Sequence, residues 1–399
     1  MRAKANRLRV VRYPFRKQKP SLSRETYSEF SANLAEHFRG GELLIEGDNL
    51  GVLQTLKRHP NVCREIRLVY IDPPFGTRQD FNITAERIAT ISRGNGGEIA
   101  YRDTLSGEAY FRFLKVRLQA IRDVMAEDGT IYVHIDCKVG HYVKCLMDEI
   151  FGPRNFINDV TRVKCNPKNF ARKGYGNVKD MILFYRKGKD FVWNDFKRPV
   201  NIPLDDDRFR LTDPDGRRYT TTPLHAPGET VNGATGKPWR GLKPPPGRHW
   251  RYPPTVLEEL DKKGLIEWSS TGNPRKKIYA DEVMKTGVKI QDVWMFKDPQ
   301  SPKYPTEKNL EMLKLIVANS SRPGDVILDA FCGSGTTLVA ARELGRKWIG
   351  IDSSPIATAT ARKRLPGCTV IQLKDEKDNG VEWTHGLEKQ LDWLRPVTI

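Results

Sequence analysis

Two short motifs carry residues that could do chemistry, and each follows an apolar run. Asp72 opens the motif Asp-Pro-Pro-Phe after the run 68–71, and the glycine-bearing motif Phe-Cys-Gly-Ser-Gly at 331–335 follows the run 326–329. Loops at the carboxyl ends of buried parallel strands are where open α/β sheets place their ligands. The first motif therefore suits a polar reaction centre, and the second suits a cofactor.

Alternating helix and strand patterns surround both motifs. Apolar residues at helical spacing predict helices at 49–58, 107–127, 139–150, 306–318, 336–344 and 355–364. Short apolar runs predict strands at 43–46, 69–71, 130–135, 326–328 and 348–351. Repeated βα units of this kind predict a doubly wound α/β sheet. The polar, glycine-bearing stretch 76–105 predicts a mobile loop that could cover bound substrate.

The composition is that of a globular protein with two domains, or with one large domain that carries an insertion. The chain has 399 residues, of which 38% are hydrophobic and 29% charged. No apolar stretch is long enough to cross a bilayer, and the amino-terminal region lacks the apolar segment of a signal peptide. We therefore expect a cytoplasmic protein. The six cysteines lack zinc-site or disulfide-framework spacing, so we expect reduced, buried thiols and no structural metal.

The chain is strongly basic, and its charge is unevenly distributed. Its 67 Lys and Arg residues exceed its 49 Asp and Glu residues, which gives a net charge of +18. Basic residues concentrate in the first 24 residues, in 162–189 and in 237–277, where tryptophan and tyrosine are interleaved. Such runs are either solvated faces or contacts to a polyanion such as nucleic acid.

The two motifs, with the segment Tyr-Pro-Thr-Glu-Lys at 304–308, resemble the β-group of S-adenosylmethionine-dependent DNA methyltransferases, which methylate adenine N6 or cytosine N4. Segments 45–50, 128–136 and 345–352 extend the resemblance along most of the chain. In this group the catalytic half precedes the cofactor half. The resemblance thus implies a Rossmann-like methyltransferase sheet with circularly permuted motif order. Relatives include type III modification subunits and solitary adenine methyltransferases.

The patterns and the resemblance together predict five segments. Broken periodicity and clustered proline and glycine mark the central one as an insertion, which in this family recognises the target sequence. The segments are a basic N-terminal arm at 1–40, a catalytic half at 41–158, a target-recognition insertion at 159–302, a cofactor-binding half at 303–380 and a C-terminal tail at 381–399.

The first motif can hold the amine of a nucleobase. The lone pair of the adenine amine is delocalised into the ring, so a catalyst must present acceptors that hold the amine in a geometry that frees this pair. The Asp72 carboxylate and the Pro73 carbonyl, pinned by Pro74, could act as two such acceptors and stabilise charge that develops on nitrogen. Phe75 could stack on a base rotated out of the duplex. A strand-terminal turn without chemistry is the competing interpretation.

The resemblance implies that the cofactor is S-adenosylmethionine. Gly333 and Gly335 permit close backbone approach, and Asp352 at the end of the next strand could accept ribose hydroxyls. Leu338 replaces the third glycine of a dinucleotide fingerprint, which disfavours NAD or FAD. The expected cofactor-binding residues are Asp48, Asp72, Thr306, Lys308, Asp329, Phe331, Cys332, Gly333, Ser334, Gly335, Thr336 and Asp352.

Two of these residues could have a different role. Lys308 could pair with the cofactor carboxylate, but Asn309 replaces the proline that usually follows this lysine. Asp48 could contact the cofactor adenine or could be an ordinary helix cap. His134 and Asp136 lie in an apolar strand context, so we expect structural roles for both.

We interpret the chain as a sequence-specific methyltransferase that flips adenine out of double-stranded DNA and methylates N6. The resemblance favours adenine over cytosine N4, because most family members that act on adenine carry Asp as the first motif residue, as this chain does at Asp72. A non-catalytic DNA-binding subunit of a modification complex would share the charge and the fold, and a methyltransferase acting on RNA or protein would share both motifs. A homodimer and a restriction subunit are candidate partners, and a membrane is not. The expected DNA-binding residues are Arg78, Arg93, Lys164, Lys168, Arg172, Lys173, Arg248, Arg275 and Lys277.

Overall fold

The computed structural model describes residues 22–74, 79–83, 98–103, 107–167, 173–302, 304 and 307–373. Internal contacts divide these residues into two compact units. The smaller unit spans Phe196–Ile290, and the larger unit comprises the residues before and after it.

Helices alternate with strands along the larger unit, as the sequence predicts. The strands of the described chain are β1 (Leu22–Glu25), β2 (Glu42–Glu46), β3 (Ile66–Ile71), β4 (Gln79–Ile83), β5 (Glu98–Asp103), β6 (Met125–Ile135), β7 (Phe156–Val163), β8 (Lys179–Arg186), β9 (Lys197–Arg198), β10 (Leu211–Thr212), β11 (Arg218–Pro223), β12 (His225–Pro227), β13 (Arg248–Trp250), β14 (Ile266–Trp268), β15 (Pro274–Tyr279), β16 (Val288–Lys289), β17 (Val293–Trp294), β18 (Val326–Asp329), β19 (Lys347–Asp352) and β20 (Thr369–Leu373). The α-helices are α1 (Tyr27–His37), α2 (Asn49–Lys57), α3 (Pro60–Cys63), α4 (Glu108–Val124), α5 (Gly140–Phe151), α6 (Pro254–Lys262), α7 (Ala280–Thr286), α8 (Leu310–Ser320), α9 (Thr336–Glu343) and α10 (Pro355–Arg364).

A ten-stranded sheet organises the larger unit, in the order β1-β20-β2-β19-β18-β3-β6-β8-β7-β17. Neighbouring strands are parallel from β1 to β6, whereas β8 is antiparallel to both β6 and β7. Strand β3 pairs with β18 in parallel, with Leu328 opposite Val69. The two motifs therefore follow neighbouring strand tips at one edge of the sheet, and the predicted doubly wound fold is confirmed.

Apolar residues on both faces of the sheet explain why its central strands are buried. Every residue of β18 is buried, and so is every residue of β3 except Arg67. Helix α4 packs on the sheet through Leu114, Leu118 and Ile121, which recur at helical spacing. Continuous burial of this kind is expected of parallel strands covered by helices on both faces.

The target-recognition insertion predicted at 159–302 is wider than the compact smaller unit, and its role stays a prediction. Strands β7 and β8 pair with the main sheet, and β17 joins β7, so the compact smaller unit is confined to 196–290. The run Met181–Tyr185 in β8 is buried throughout, which ties this segment to the main core. The smaller unit contains the antiparallel sheet β10-β11-β15-β14 and a separate core around Trp239 and Trp250.

The segment predicted as a basic arm, 1–40, also ends in ordered structure. Strand β1 pairs with β20, and α1 buries Phe30 and Leu34 in the main core. Thr26 and Glu29 form a reciprocal capping box that starts α1. The basic residues before position 22 lie outside the described part of the chain.

The stretch predicted as a mobile loop, 76–105, contains a β-hairpin. Strands β4 and β5 pair as antiparallel partners, with Asp80 opposite Arg102. The residues between these strands lie outside the described part of the chain.

The described cysteines are free thiols, but not all are buried as expected. Cys332 and Cys368 are buried, Cys137 and Cys165 are partly exposed, and Cys145 is exposed. Within the described ranges, no helix combines the length and apolar character that a membrane span requires. The cytoplasmic location stays a prediction.

Candidate active site

Asp72 and Lys308 meet at the junction of the two halves of the sheet. The Lys308 ammonium donates a hydrogen bond to Oδ2 of Asp72. The two side chains are only 10% and 17% exposed, Lys308 being the less exposed. The other carboxylate oxygen of Asp72, Oδ1, is buried and has no hydrogen-bond partner among the described residues. One oxygen of Asp72 is therefore fixed by a cation, and the other is an acceptor for which the described residues supply no donor.

Two glycines shape the turn after β18. Gly333 and Gly335 have φ angles of +51° and +77°, in the left-handed region that favours glycine. A Cβ atom added to Gly335 would lie 3.0 Å from Cβ of Ala361 in α10, so the packing also requires a small residue there. The turn brings its backbone close to α10 and leads directly into α9.

Two carboxyl groups flank this turn, Asp329 being buried and Asp352 partly buried. Asp329 at the end of β18 accepts the N–H of Phe331 (3.1 Å), and burial raises its pKa to about 7, with the charges of Asp72 and Asp352 adding to the shift. Asp352 accepts the N–H groups of Gly333 (2.8 Å) and Ser354 (2.9 Å), and burial raises its pKa as well. The Asp352 carboxylate therefore lies at the glycine turn, where the sequence predicts a cofactor contact.

Arg364 stabilises the glycine turn through hydrogen bonds. Its guanidinium donates to the carbonyl and the hydroxyl of Ser334, at 3.1 and 3.0 Å, and to the hydroxyl of Thr336 at 3.0 Å. It also forms an ion pair with Glu307 at 2.9 Å. Arg364 thereby joins the turn to the residue that precedes Lys308. No sequence signal singled out this arginine, because its role depends on three segments that meet only in the fold.

Asn309 begins helix α8. Its side-chain oxygen accepts the N–H of Met312 at 3.1 Å, which is the geometry of an N-cap. The helix consequently begins at Leu310 rather than at 306, and Lys308 lies in the segment before it. Lys308, predicted to pair with a cofactor carboxylate, contacts Asp72 in this structure.

Asp48 caps a helix. Its carboxylate accepts the N–H of Gly51 (3.1 Å) at the start of α2 and forms an ion pair with Arg117 (2.6 Å). Arg117 also donates to Asn49, whose amide in turn donates to the carbonyl of Ala330 beside the glycine turn. The contact of Asp48 with a cofactor adenine stays a prediction, and Arg117 was not identified from the sequence.

Hydrogen bonds join three buried polar side chains, Tyr70, His134 and Asp180, in the core near Asp72. The Tyr70 hydroxyl lies 2.8 Å from Nδ1 of His134, and Nε2 of His134 lies 3.2 Å from Asp180. Burial lowers the pKa of His134, which keeps the ring neutral, and raises the pKa of Tyr70, which keeps the hydroxyl protonated. Burial alone would raise the pKa of Asp180, but hydrogen bonds from His134 and Lys164 lower it overall. As predicted, His134 is a fully buried structural residue.

The residues predicted to contact DNA have diverse environments. Lys164 donates to Asp180 at 2.5 Å, and Lys277 forms an ion pair with Asp213 at 2.7 Å, so both cations are already neutralised inside their units. This differs from the expectation of exposed phosphate contacts. Arg275 donates to Thr221 of β11.

Of the remaining predicted residues, Lys173 and Arg248 are exposed. The others lie outside the described part of the chain: Phe75, Arg78, Arg93, Lys168, Arg172 and Thr306.

Comparisons with known proteins agree with this arrangement. A family model described as DNA methylase (N6_N4_Mtase) matches residues 66–363. The Type II methyltransferase M.EcaI of Enterobacter cloacae is 45% identical over 311 residues, covering 76% of this chain and 65% of the relative. The EcoP15I Mod subunit of a type III restriction-modification enzyme from Escherichia coli is 24% identical over 386 residues, covering 78% of this chain and 57% of the relative.

A further type III relative is the StyLTI Mod subunit of Salmonella typhimurium, which is 26% identical over 357 residues, with 79% of this chain and 52% of the relative covered. The chain thus spans between 52% and 65% of the length of these curated relatives. The family model matches more than half of the chain and includes both motifs and the neighbouring strands β3 and β18. The chain therefore belongs to the N6_N4_Mtase family of DNA methylases.

Proposed function

We propose that this chain transfers a methyl group from S-adenosylmethionine to adenine N6 in double-stranded DNA, at a specific sequence and after flipping the base. The observation that carries the proposal is the Asp72 carboxylate, with Oδ2 held by Lys308 and Oδ1 buried without a donor among the described residues. It lies one strand away from the glycine turn.

The unpaired oxygen of Asp72 is suited to an amine N–H. A buried acceptor without a partner costs free energy, and a donor supplied by a substrate would remove that cost. Lys308 fixes the orientation of the carboxylate, so the acceptor is preorganised before a base arrives. The same negative oxygen would stabilise positive charge on a nitrogen that is gaining a methyl group.

The residues around the glycine turn fit S-adenosylmethionine. Gly333 is partly exposed and leaves room for close approach to its backbone, while Gly335 lets the turn pack on α10. The Asp352 carboxylate lies at the turn, where it could also accept hydroxyl groups. When bound, this cofactor supplies an electrophilic methyl group on a sulfonium. Lys308 and Arg364 would position the catalytic carboxylate and the turn relative to each other.

The decisive variant is Asp72→Ala. We expect at least a roughly 100-fold loss of methyl transfer, because a preorganised electrostatic contact to the reacting nitrogen disappears. Cofactor affinity, measured by calorimetry, should largely survive. The matched control is Asp123→Ala, which removes an exposed carboxylate that pairs with Lys57 at 2.7 Å. Methylation that persists in the Asp72 variant at the parent rate would contradict the proposal.

A second experiment distinguishes adenine methylation from cytosine methylation and from DNA binding without catalysis. DNA from a methylation-deficient host that expresses the protein is digested to nucleosides and examined by mass spectrometry, and modified positions are mapped across the genome. N6-methyladenine is expected. N4-methylcytosine would identify the second amine that the family methylates, and DNA binding without any methylated base would identify a non-catalytic subunit.

We also propose a homodimer and a restriction subunit as partners. The support for a restriction subunit is the similarity to Mod subunits, which belong to restriction-modification enzymes. The homodimer rests on the family resemblance alone. Light scattering of the purified chain and co-purification with a co-expressed neighbouring endonuclease test the two assemblies separately. A monomer over the working concentration range would contradict the first proposal, and absence of co-purification would contradict the second.

A further inference from the structure

A groove opens in the larger unit beside the turn that follows β6. Its volume is about 600 Å³, and its lining includes Cys137, Lys138, Val163, Tyr175, Asn177 and Lys179. Strands β6 and β7 end at this edge of the sheet and β8 begins there, because β8 runs antiparallel to both. The groove therefore lies at the same sheet edge as Asp72, which follows the parallel strand β3.

The groove carries unneutralised positive charge. Lys138 and Lys179 are exposed, and neither forms an ion pair with another described residue. Of the acids next to these lysines in the chain, Asp180 receives hydrogen bonds from Lys164 (2.5 Å) and Arg162 (3.4 Å), and Asp136 accepts the backbone N–H of Lys138 (2.8 Å). Neither acid forms an ion pair with the ammonium groups of Lys138 and Lys179, so both groups are available to an anion.

An aromatic ring stands at the rim of the same groove. Tyr175 is 97% exposed, whereas large aromatic side chains usually bury most of their surface. Asn177 lies two residues further along the lining; its amide oxygen accepts the backbone N–H of Lys179 (3.4 Å), and its amide nitrogen offers a donor. A stacking surface, a polar amide and two cations in one groove form the combination that binds the bases and phosphates of a nucleic acid strand.

The distance from Asp72 fits a site for nucleotides near the target base. Along the sheet the order is β3-β6-β8-β7, and strands are spaced about 4.8 Å apart. The groove, lined by residues at β6, β8 and β7, therefore extends from roughly 5 to 14 Å from the strand that precedes Asp72. One DNA strand advances about 3.4 Å per nucleotide, so this range corresponds to roughly the first four nucleotides from the target base.

We infer that this groove binds the DNA strand that flanks the flipped base, with a phosphate between Lys138 and Lys179 and a base against Tyr175. The inference rests on the proposed function and assigns to the larger unit itself a DNA contact outside the target-base site. The groove is lined by residues of the larger unit.

Thiol protection provides a direct test, because a cysteine lines the groove. Cys137 is partly exposed in the lining, and Cys145 is exposed on helix α5 away from it. The full chain is treated with N-ethylmaleimide, with and without duplex DNA of mixed sequence, and modification of each cysteine is measured by peptide mass spectrometry. DNA should slow the modification of Cys137 severalfold and leave that of Cys145 unchanged.

Substitutions measure the contribution of each group. In binding experiments with a labelled DNA duplex, Lys138→Ala with Lys179→Ala should reduce the slope of log affinity against log salt by about 2, since about one counterion is released per lysine contact. Tyr175→Ala should weaken binding about tenfold, and Tyr175→Phe should retain the stacking and bind like the parent. The control is Lys189→Ala, which removes an exposed lysine beyond the opposite end of β8.

The outcomes distinguish the groove from the proposed function. If the parent protein methylates and binds DNA, but Cys137 is not protected and the lysine and tyrosine variants bind normally, the groove inference is refuted and the function stands. If the parent binds no DNA, both are refuted. Unchanged cofactor affinity in every variant, measured by calorimetry, rules out loss of folding as the cause of weaker DNA binding.

Discussion

Asp329 should make the stability of this protein depend on pH in an unusual direction. Its carboxyl group is 2% exposed, and burial raises its pKa from 3.8 to about 7, helped by the charges of Asp72 and Asp352. Hydrogen bonds from Phe331 and Thr337 favour the charged form but do not outweigh burial. Folding therefore places an acid where its neutral form is preferred.

The direction follows from proton binding. Between about pH 4 and pH 7 the folded state holds a proton on Asp329 that the unfolded chain has released, so the free energy of unfolding falls as the pH rises through this window. Each pH unit within this window lowers the free energy of unfolding by about 1.4 kcal/mol. A rise from about pH 5 to about pH 8.5 crosses roughly two pH units of this window. Ionisation of Asp329 should therefore lower the free energy of unfolding by about 3 kcal/mol over this range.

The variant Asp329→Asn removes the ionisation and keeps an oxygen that can accept the N–H of Phe331. The free energy of unfolding is measured by urea denaturation at about pH 5 and pH 8.5. Between these two pH values it should fall by about 3 kcal/mol more in the parent than in the variant. The control Asp190→Asn, at an exposed acid, should retain the parent's pH dependence. Equal pH dependence of the parent and the Asp329 variant would refute the assignment of a raised pKa to this carboxyl group.

Two further predictions concern the glycine turn. Arg364→Met should weaken S-adenosylmethionine binding about tenfold or more in calorimetry, because the charged hydrogen bonds to Ser334 each contribute about 1.5 kcal/mol or more; parent affinity in this variant would show that Arg364 does not shape the cofactor site. Gly335→Ala should lower the free energy of unfolding by about 1–2 kcal/mol, since it combines a left-handed φ with a 3.0 Å contact to Ala361. The control is Gly264→Ala, at a left-handed glycine with open space around it, where only the strained backbone should lower the free energy of unfolding. If both variants lose the same free energy of unfolding, the contact with Ala361 has no effect.

Much of the fold could be predicted because the central strands are uniformly apolar. The runs in β3 and β18 are followed at once by polar or glycine-rich motifs, so both the strands and their functional ends are visible in the sequence. Strand β8 was missed although Met181–Tyr185 is equally apolar. Lysine and arginine on both sides of that run indicated a DNA-binding insertion, and this charge pattern obscured a core strand.

The contacts that complete the site could not be predicted, since they join residues that are distant in the chain. Asp72 and Lys308 are 236 positions apart, and each resembles an ordinary motif residue until the fold pairs them. Charge type alone cannot distinguish Lys164, whose ammonium is bound by Asp180, from Lys138, which faces solvent. Whether a cation faces solvent or an internal acid depends on the tertiary structure, which periodicity does not contain.

Strand β1, the outermost of the described strands on its side of the sheet, protects the sheet against unwanted association. Its four residues cover one side of β20, where Val370 and Ile371 would otherwise present unsatisfied backbone groups next to apolar side chains. Being short and bearing Arg24 and Glu25, β1 is itself a poor template for another molecule's strand. The pairing of this short strand with β20 thus helps to keep copies of the protein from joining through this side of the sheet into aggregates at high concentration.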